Sequence, residues 1–285
     1  MSFFEWIKTI ILGIIQGITE WLPVSSTGHL LLFQEFLPLN VSENFFNMFM
    51  VVIQLGSILA VLVLFWHKLW PFSPKKSQAE RRSTWQIWGK VLVGAIPAAI
   101  LGLLLDDFIE GKIYENQVVK CSVIAGTLIV YGIAFILIER KNHSAPRVNT
   151  IEELSYKDAL TIGAFQVLSL IPGTSRSGST ILGGISIKVS RPVAAEYSFF
   201  LAIPVMAGAS ALKILKFFME GNTLTLAEGL CLLLGTVVSF AVSLLVVRFL
   251  MDFVRRHSFA PFGWYRIALG AVILIYMLVR YVALA

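Results

Sequence analysis

The 285-residue chain is strongly apolar, which excludes an ordinary soluble domain. Hydrophobic residues occupy 57% of the positions and charged residues only 14%, with a mean hydropathy of +0.80. Since soluble domains carry about 25% charged residues, this composition indicates an integral membrane protein. The formal net charge of +6 does not indicate nucleic-acid binding, because the basic residues collect in the connections between apolar segments.

The first apolar stretch, residues 3–37, is interrupted near its middle. Gln16 and Glu20 lie four positions apart, so a helix places both on one face. Pro23 ends this helix, because its ring clashes with the preceding turn and it has no N–H. Polar residues with hydrogen-bonding side chains follow the proline, and they are Ser25, Ser26, Thr27 and His29. The stretch therefore predicts a pair of half-length helices with a polar tip.

Glu20 is the residue of this tip whose side chain is energetically unfavourable inside a bilayer. A carboxylate at the bilayer centre costs at least about 2.5 kcal/mol on insertion scales, so it needs a partner. One interpretation is a structural ion pair with a buried arginine. The other is ligation of Mg²⁺ or Ca²⁺ together with Gln16, because hard cations take carboxylate and amide oxygens along with substrate phosphate.

His29 is the histidine that falls within an apolar segment, three positions after Ser26. This spacing places both side chains on one helical face. His29 could act as a general base for Ser26 or as a nucleophile itself, and the alternative is a histidine that binds a backbone carbonyl. The sequence leaves open which of Ser25, Ser26 and His29 would attack a substrate.

Six further stretches are long enough to span a bilayer, which needs about 20 residues. They are residues 46–68, 86–105, 118–138, 193–218, 226–249 and 262–284. The 67–90 connection is basic and the 106–117 connection is acidic, with Asp106, Asp107, Glu110 and Glu115 against Lys112. The excess of lysine and arginine predicts that the first connection is cytoplasmic, the second external, and both chain ends external.

A second interrupted stretch, residues 158–188, breaks at Pro172-Gly173. Arg176 follows, and it is the only basic residue between Lys157 and Lys188. A planar guanidinium beside the start of a helix suits bidentate phosphate binding. Hydroxyl groups surround it, at Thr174, Ser175, Ser177, Ser179 and Thr180.

The two interrupted stretches resemble each other. Gly13-Ile-Ile-Gln16 matches Gly163-Ala-Phe-Gln166, and Pro23 is aligned with Pro172. Gln54 and Ile203 then stand at equal distances beyond the two prolines. Since the charge pattern gives the two copies opposite orientations, the sequence predicts an inverted-topology repeat with its site near the midplane.

The predicted fold is thus an all-α polytopic membrane protein with six transmembrane helices and two re-entrant helix hairpins. We expect one integral membrane domain over residues 1–285. Repeat one covers about 1–105 with hairpin 3–37, and repeat two covers about 158–249 with hairpin 158–188. Non-helical backbone at membrane depth is tolerated only where it lines a protein cavity, so both hairpin tips point to a site.

At these residues the chain resembles the bacterial undecaprenyl-diphosphatases that are linked with bacitracin resistance. The first family signature, (E/Q)xxxE followed by PVSSTGH, reads here as Gln16 to Glu20 and Pro23 to His29. The second signature, PGxSRSGxT, is matched from Pro172 to Thr180 without gaps. The similarity also includes VIQLGSILA at 52–60 and SFFLAIP at 198–204, and so covers nearly the whole chain.

The resemblance implies hydrolysis of undecaprenyl diphosphate to the monophosphate lipid carrier and inorganic phosphate, as part of peptidoglycan and cell-wall synthesis and of cell shape. It implies a Mg²⁺ or Ca²⁺ cofactor, competition with the antibiotic bacitracin for the lipid, and a multi-pass protein of the bacterial cell membrane with its site open to the outer face. A homodimer is left open, and nucleic acid is not expected as a partner.

The resemblance also implies roles for individual residues. The catalytic residues are expected to be Ser26, His29, Glu20 and Arg176. The metal ligands are expected to be Glu20 and Gln16. Substrate contacts fall to Gln16, Ser25, Thr27, Ser175, Ser177, Thr180 and Gln54.

The rival hypothesis is a transporter or flippase of a phosphorylated polyprenyl lipid, because inverted repeats with broken helices are typical of transporters. A transporter needs an anion site but no nucleophile. Ser26 and His29 beside Glu20 therefore favour the enzyme.

Overall fold

The computed structural model describes residues 2–109, 111–112, 116–141 and 145–284. Over these residues the chain forms α-helices and no β-strand, with one isolated bridge between Val148 and Val189. The helices, in chain order, are α1 (Phe3–Thr19), α2 (Ser26–Phe36), α3 (Glu43–Val52), α4 (Gln54–Leu64), α5 (Trp66–Leu69), α6 (Gln78–Ile109), α7 (Gln117–Lys141), α8 (Tyr156–Val167), α9 (Arg176–Ser186), α10 (Arg191–Met219), α11 (Leu226–Arg256) and α12 (Ala260–Leu284). Glu110 and Glu115, which contribute to the predicted acidic connection, lie outside the described residues.

Six segments of the described chain are helical, long and apolar enough to cross a membrane, and they confirm the six predicted spans. Five of them fall on α6, α7, α10, α11 and α12, and the sixth combines α3 and α4 as Glu43–Leu64. Helices satisfy all backbone hydrogen bonds internally, which is what a lipid environment demands. The protein is therefore a multi-pass membrane protein with an all-helical fold.

Helices α1 and α2 form an antiparallel pair, because the segment after α2 returns to the start of α1. Lys8 Nζ donates to the carbonyl oxygen of Pro38 at 2.6 Å, and the Asn40 N–H donates to Glu5 at 2.8 Å. The residues that join the two helices, 20–25, are the first break.

Helices α8 and α9 form a second antiparallel pair. Arg147, just before α8, pairs with Asp158 at 2.5 Å, while its backbone N–H donates to the carbonyl of Lys188 just after α9, at 2.8 Å. A 3₁₀ turn, Leu168–Leu170, leads into the connection. Residues 168–175 are the second break, and each break lies at the tip of its pair.

The first helix of each pair packs on a helix from the other half of the chain. Helix α1 packs on α11, whereas α8 packs on α6, and α7 packs on α12. Small residues allow the close approaches: Gly17 faces the backbone of Ser239, and Gly163 faces the carbonyl of Gly94. These contacts place both tips inside the helix assembly.

The two breaks have the same backbone geometry. Ser25 and Ser175 both lie in the left-handed region, with φ of 75° and 72°, and each caps the following helix. Their hydroxyls accept from the N–H groups of Gly28 and Gly178, at 3.2 and 3.1 Å. Ser25 and Ser175 are therefore equivalent residues of the two breaks. The predicted alignment of Pro23 with Pro172 is therefore wrong by one residue. The alignment of Gln16 with Gln166, continued without a gap, pairs Ser25 with Ser175.

Candidate active site

Glu20 lies at the centre of the candidate site, where the two breaks meet. Its side chain is 5% exposed. One oxygen, Oε2, accepts from Gln16 Nε2 and from Ser26 Oγ, both at 2.9 Å, and Oε1 accepts from Arg176 Nη2 at 3.0 Å. A single carboxylate thus joins α1, the start of α2 and the start of α9.

Arg176 is held from both sides of the site. Besides Glu20, it donates from Nη1 to the carbonyl oxygen of Ser198 on α10 at 2.8 Å. Its guanidinium carbon also lies 5.4 Å from the ring centre of Trp21. Removing one partner of such a buried pair costs about 3–5 kcal/mol, because the remaining charge is left uncompensated. The predicted alternative for Glu20, an ion pair with a buried arginine, is thus present, and it brings the two breaks together.

The hydroxyls of the second break connect to the same centre. Ser177 Oγ donates to the carbonyl oxygen of Glu20 at 3.1 Å and lies 3.2 Å from Ser175 Oγ. Thr180 Oγ1 lies 2.7 Å from Ser198 Oγ, beside the Arg176 guanidinium. The structure therefore gathers Ser175, Ser177 and Thr180 around the predicted arginine.

His29 shows one of the predicted alternatives, a histidine that binds a backbone carbonyl. Its Nδ1 lies 2.7 Å from the carbonyl oxygen of Ser25, and its Nε2 lies 2.7 Å from the hydroxyl of Tyr265 on α12. A carbonyl can only accept, so Nδ1 carries the proton in this arrangement. Among the described hydrogen bonds, the Ser26 hydroxyl is paired with Glu20 and not with His29.

Two other predicted residues stand apart from this network. Gln54 donates to the carbonyl of Met50 within its own segment, at 3.3 Å. Thr27 lies in the first turn of α2, beside Ser26, and is half-buried. Their substrate contacts stay predictions.

Arg266 is a site residue that sequence reasoning missed. It lies on α12, is 0% exposed, and donates to three carbonyl oxygens: Pro23 at 3.0 Å, and Gly173 and Thr174 at 2.9 Å each. Its guanidinium carbon lies 5.4 Å from the ring centre of Tyr131. The signal was available, because a charged residue within an apolar span is a functional candidate by default.

The chemistry of Gln16 fits partial ligation of a cation. Gln16 is fully buried, its amide nitrogen binds Glu20, and its Oε1 has no hydrogen-bond partner. In the part of the chain that the structure describes, no group of three or more histidine, cysteine or acidic side chains is placed so that it could hold a metal ion. Because Mg²⁺ is commonly held by one or two protein oxygens plus substrate phosphates, the residues fit a cation that arrives with a phosphorylated ligand.

Together, these groups can bind a phosphorylated ligand and act on it. Arg176 offers a charged fork, the serine-capped starts of α2 and α9 offer N–H groups, and Ser26 offers a hydroxyl that already donates to a carboxylate. This is the set of parts that phosphoryl transfer requires, namely positioning, charge neutralisation and a nucleophile with an acceptor for its proton.

Comparison with known proteins shows the family of this chain. A family model described as bacitracin resistance protein BacA matches residues 9–272, which include both breaks and Arg266. The chain belongs to the BacA family.

Several relatives in the BacA family carry the name undecaprenyl-diphosphatase. A protein of Enterococcus faecalis (strain ATCC 700802 / V583) is 53% identical over 98% of this chain and 99% of its own length. A protein of Limosilactobacillus fermentum is 53% identical over 95% of this chain and 97% of its own, and one of Streptococcus suis (strain 05ZYH33) is 52% identical over 97% and 98%. The matched length leaves no large part of either chain unaligned.

Proposed function

We propose that this protein hydrolyses undecaprenyl diphosphate to undecaprenyl phosphate and inorganic phosphate, which recycles the lipid carrier for cell-wall synthesis. The observation that carries the proposal is the hydrogen bond from Ser26 to Glu20 beside the Arg176 guanidinium, at the junction of the two breaks. Full-length similarity to proteins named undecaprenyl-diphosphatase supports the substrate. Bacitracin, after which the family is named, would compete by sequestering the same lipid.

Within this proposal each group has a role. Ser26 Oγ attacks the terminal phosphorus and passes its proton to Glu20 Oε2, while the bond to the bridging oxygen breaks and undecaprenyl phosphate leaves. Arg176 then holds the phosphoryl oxygens. Water then attacks the phosphorus of the phosphoserine and passes a proton to His29 Nε2. The bond from phosphorus to Ser26 Oγ breaks, Glu20 returns its proton to Ser26 Oγ, and inorganic phosphate leaves. In this scheme Glu20 is the proton acceptor for Ser26, and His29 is the proton acceptor for the attacking water.

A divalent cation, Mg²⁺ or Ca²⁺, completes the proposed site. Glu20 and Gln16 Oε1, the unpartnered buried acceptor, would hold it once the Gln16 amide turned its oxygen, in place of its nitrogen, towards Glu20. When bound, the cation neutralises negative charge on the diphosphate oxygens.

The finer architecture is also part of the proposal: α1/α2 and α8/α9 are re-entrant hairpins of an inverted-topology repeat. The matching serine caps support it. The packing of α1 on α11 and of α8 on α6 also supports it, because each pair then lies against a helix from the other half of the chain. The connection with six basic residues at 67–90 supports a cytoplasmic location for that side. The pair α1/α2 then opens to the outer face of the cell membrane, where the diphosphate would enter.

Phosphate release from a long-chain isoprenyl diphosphate by detergent-purified protein tests the proposal. We expect release that requires a divalent cation and falls at least about 100-fold in His29→Ala and in Arg176→Ala, in line with the usual contribution of a positioned acid–base or charged group. His257→Ala and Arg255→Ala, which change exposed residues just after α11 and in its last turn, are the matched controls.

Each outcome has a distinct meaning. No release from folded wild-type protein that still binds the lipid would contradict the enzyme and favour the transporter. Release that persists in EDTA would support the enzymatic function but contradict the binding of a cation by Glu20 and Gln16.

A further inference from the structure

Arg266 is buried without a counter-charge. Among the described residues, its hydrogen-bond partners are the carbonyl oxygens of Pro23, Gly173 and Thr174, and no carboxylate pairs with it. Its Nε has no partner. Burying an ion costs several kcal/mol even after relaxation, so a guanidinium in this position indicates a function that a neutral residue would not serve.

The position of the carbonyls shows what the guanidinium holds. Pro23 and Gly173 each lie two residues before a positive-φ serine cap, Ser25 and Ser175 respectively. Nη1 reaches the first break and Nη2 reaches the second. One planar fork therefore sets the distance between the starts of α2 and α9, and a lysine, with a single nitrogen, could not bridge them in the same way.

The charge of Arg266 also remains available to a ligand. Glu20 and Arg176 neutralise each other, which leaves one formal positive charge at the junction of the breaks. The first turn of α9 lies against this charge, since a Cβ at Gly178 would stand 3.3 Å from Nη1. A diphosphate placed between the two capped helices would experience this field.

We propose that Arg266 is a positioning residue of the phosphoryl-transfer site: it holds the two breaks in register through their carbonyls and supplies the net positive charge that attracts the diphosphate. This inference rests on the proposed phosphatase function. It predicts that geometry and charge can be separated by two substitutions at this one position.

The test compares Arg266→Lys and Arg266→Gln as purified, folded proteins, with Arg280→Lys and Arg280→Gln as matched controls on the same helix. Arg280 pairs with Glu35, away from the breaks. We expect Arg266→Lys to lower kcat about 10- to 100-fold with KM changed less than about threefold, because misplacement by about 1 Å costs on the order of 10²-fold in rate. Arg266→Gln should lower kcat similarly and also raise KM and the inhibition constant of inorganic phosphate at least about fivefold, because the charge is lost.

The outcomes separate this proposal from the proposed function. Absence of activity in wild-type protein would contradict the function itself. Active wild-type protein with a normal kcat per folded Arg266→Lys molecule would overturn the positioning role, and an unchanged phosphate inhibition constant in Arg266→Gln would overturn the charge role. Failure of both Arg266 variants to fold, while both Arg280 variants fold, would assign Arg266 to structure alone.

Discussion

At the scale of single residues, the site depends on which acceptor takes the Ser26 proton. Ser26 and Arg176 bind different oxygens of Glu20, so the ion pair does not occupy the oxygen that faces the hydroxyl. The carboxylate can therefore accept a proton at Oε2 while Arg176 turns from Oε1 towards a phosphate. On this arrangement we base the proposal that Ser26, among the three candidates, is the nucleophile.

Ser26→Ala tests that assignment. We expect phosphate release to fall at least about 1,000-fold, because loss of a nucleophile removes the covalent route and leaves only binding and charge stabilisation. Ser186→Ala, at the far end of α9 where the hydroxyl bonds to the Gly183 carbonyl, should retain normal release. Near-full activity in folded Ser26→Ala would exclude Ser26 as the nucleophile.

At the scale of the elements, close helix contacts hold the broken pairs in place. Helix α4 packs against α11 at Gly56, where any Cβ would clash with the carbonyl of Thr236 and the N–H of Phe240. Ser57, Ser239 and Ser243 hydrogen-bond across the same contact, at 2.8 and 3.0 Å. Small residues and interhelical hydrogen bonds drive helix association in lipid, where apolar burial contributes little.

Gly56→Ala should therefore destabilise the protein. Overpacking of a close contact costs about 1–3 kcal/mol, so the thermal unfolding midpoint in detergent should fall. Gly126→Ala is the control, since the Cβ would enter open space on α7 and alanine is the better helix former. Equal unfolding midpoints for the two variants would contradict the prediction, because they would show that the contact between α4 and α11 accepts a Cβ at position 56 without loss of stability.

At the scale of the whole molecule, the proposed orientation places α1/α2 and α8/α9 on opposite faces. Lys8–Pro38 contacts close one pair, and Arg147–Asp158 contacts close the other. Lys68 on α5 pairs with Glu196 near the start of α10 at 2.6 Å, so the basic connection lies on the side of the second pair. The tips of both pairs still meet, at Glu20 and Arg176.

Cysteine labelling measures this orientation directly. With the two free thiols Cys121 and Cys231 replaced by alanine, Asn40→Cys should react with a membrane-impermeant maleimide added to intact cells. Lys75→Cys should react only after the membrane is opened; both positions are exposed in the structure. The reverse pattern would invert the topology, and it would move the entrance of the α1/α2 pair to the cytoplasmic face.

The amino-acid sequence by itself determined the spans, both interruptions and the key pair of residues. Long apolar runs must become helices in lipid because no water is present to satisfy the backbone, and Pro23 and Pro172 lie within the two breaks. Glu20 and Arg176 were identifiable because an ionisable residue in an apolar segment requires a partner.

Only the tertiary structure decided which groups meet at the tips. Helix periodicity predicted that Ser26 and His29 share a face, but it could not show that Ser26 binds Glu20 while His29 binds the Ser25 carbonyl and Tyr265 on α12. The charge of Arg266 within an apolar span was a signal that we missed, but the sequence could not show what it binds, because its partners are backbone carbonyls far away in sequence. Helix periodicity sets the face of a side chain, whereas the packing of distant helices sets what that face touches.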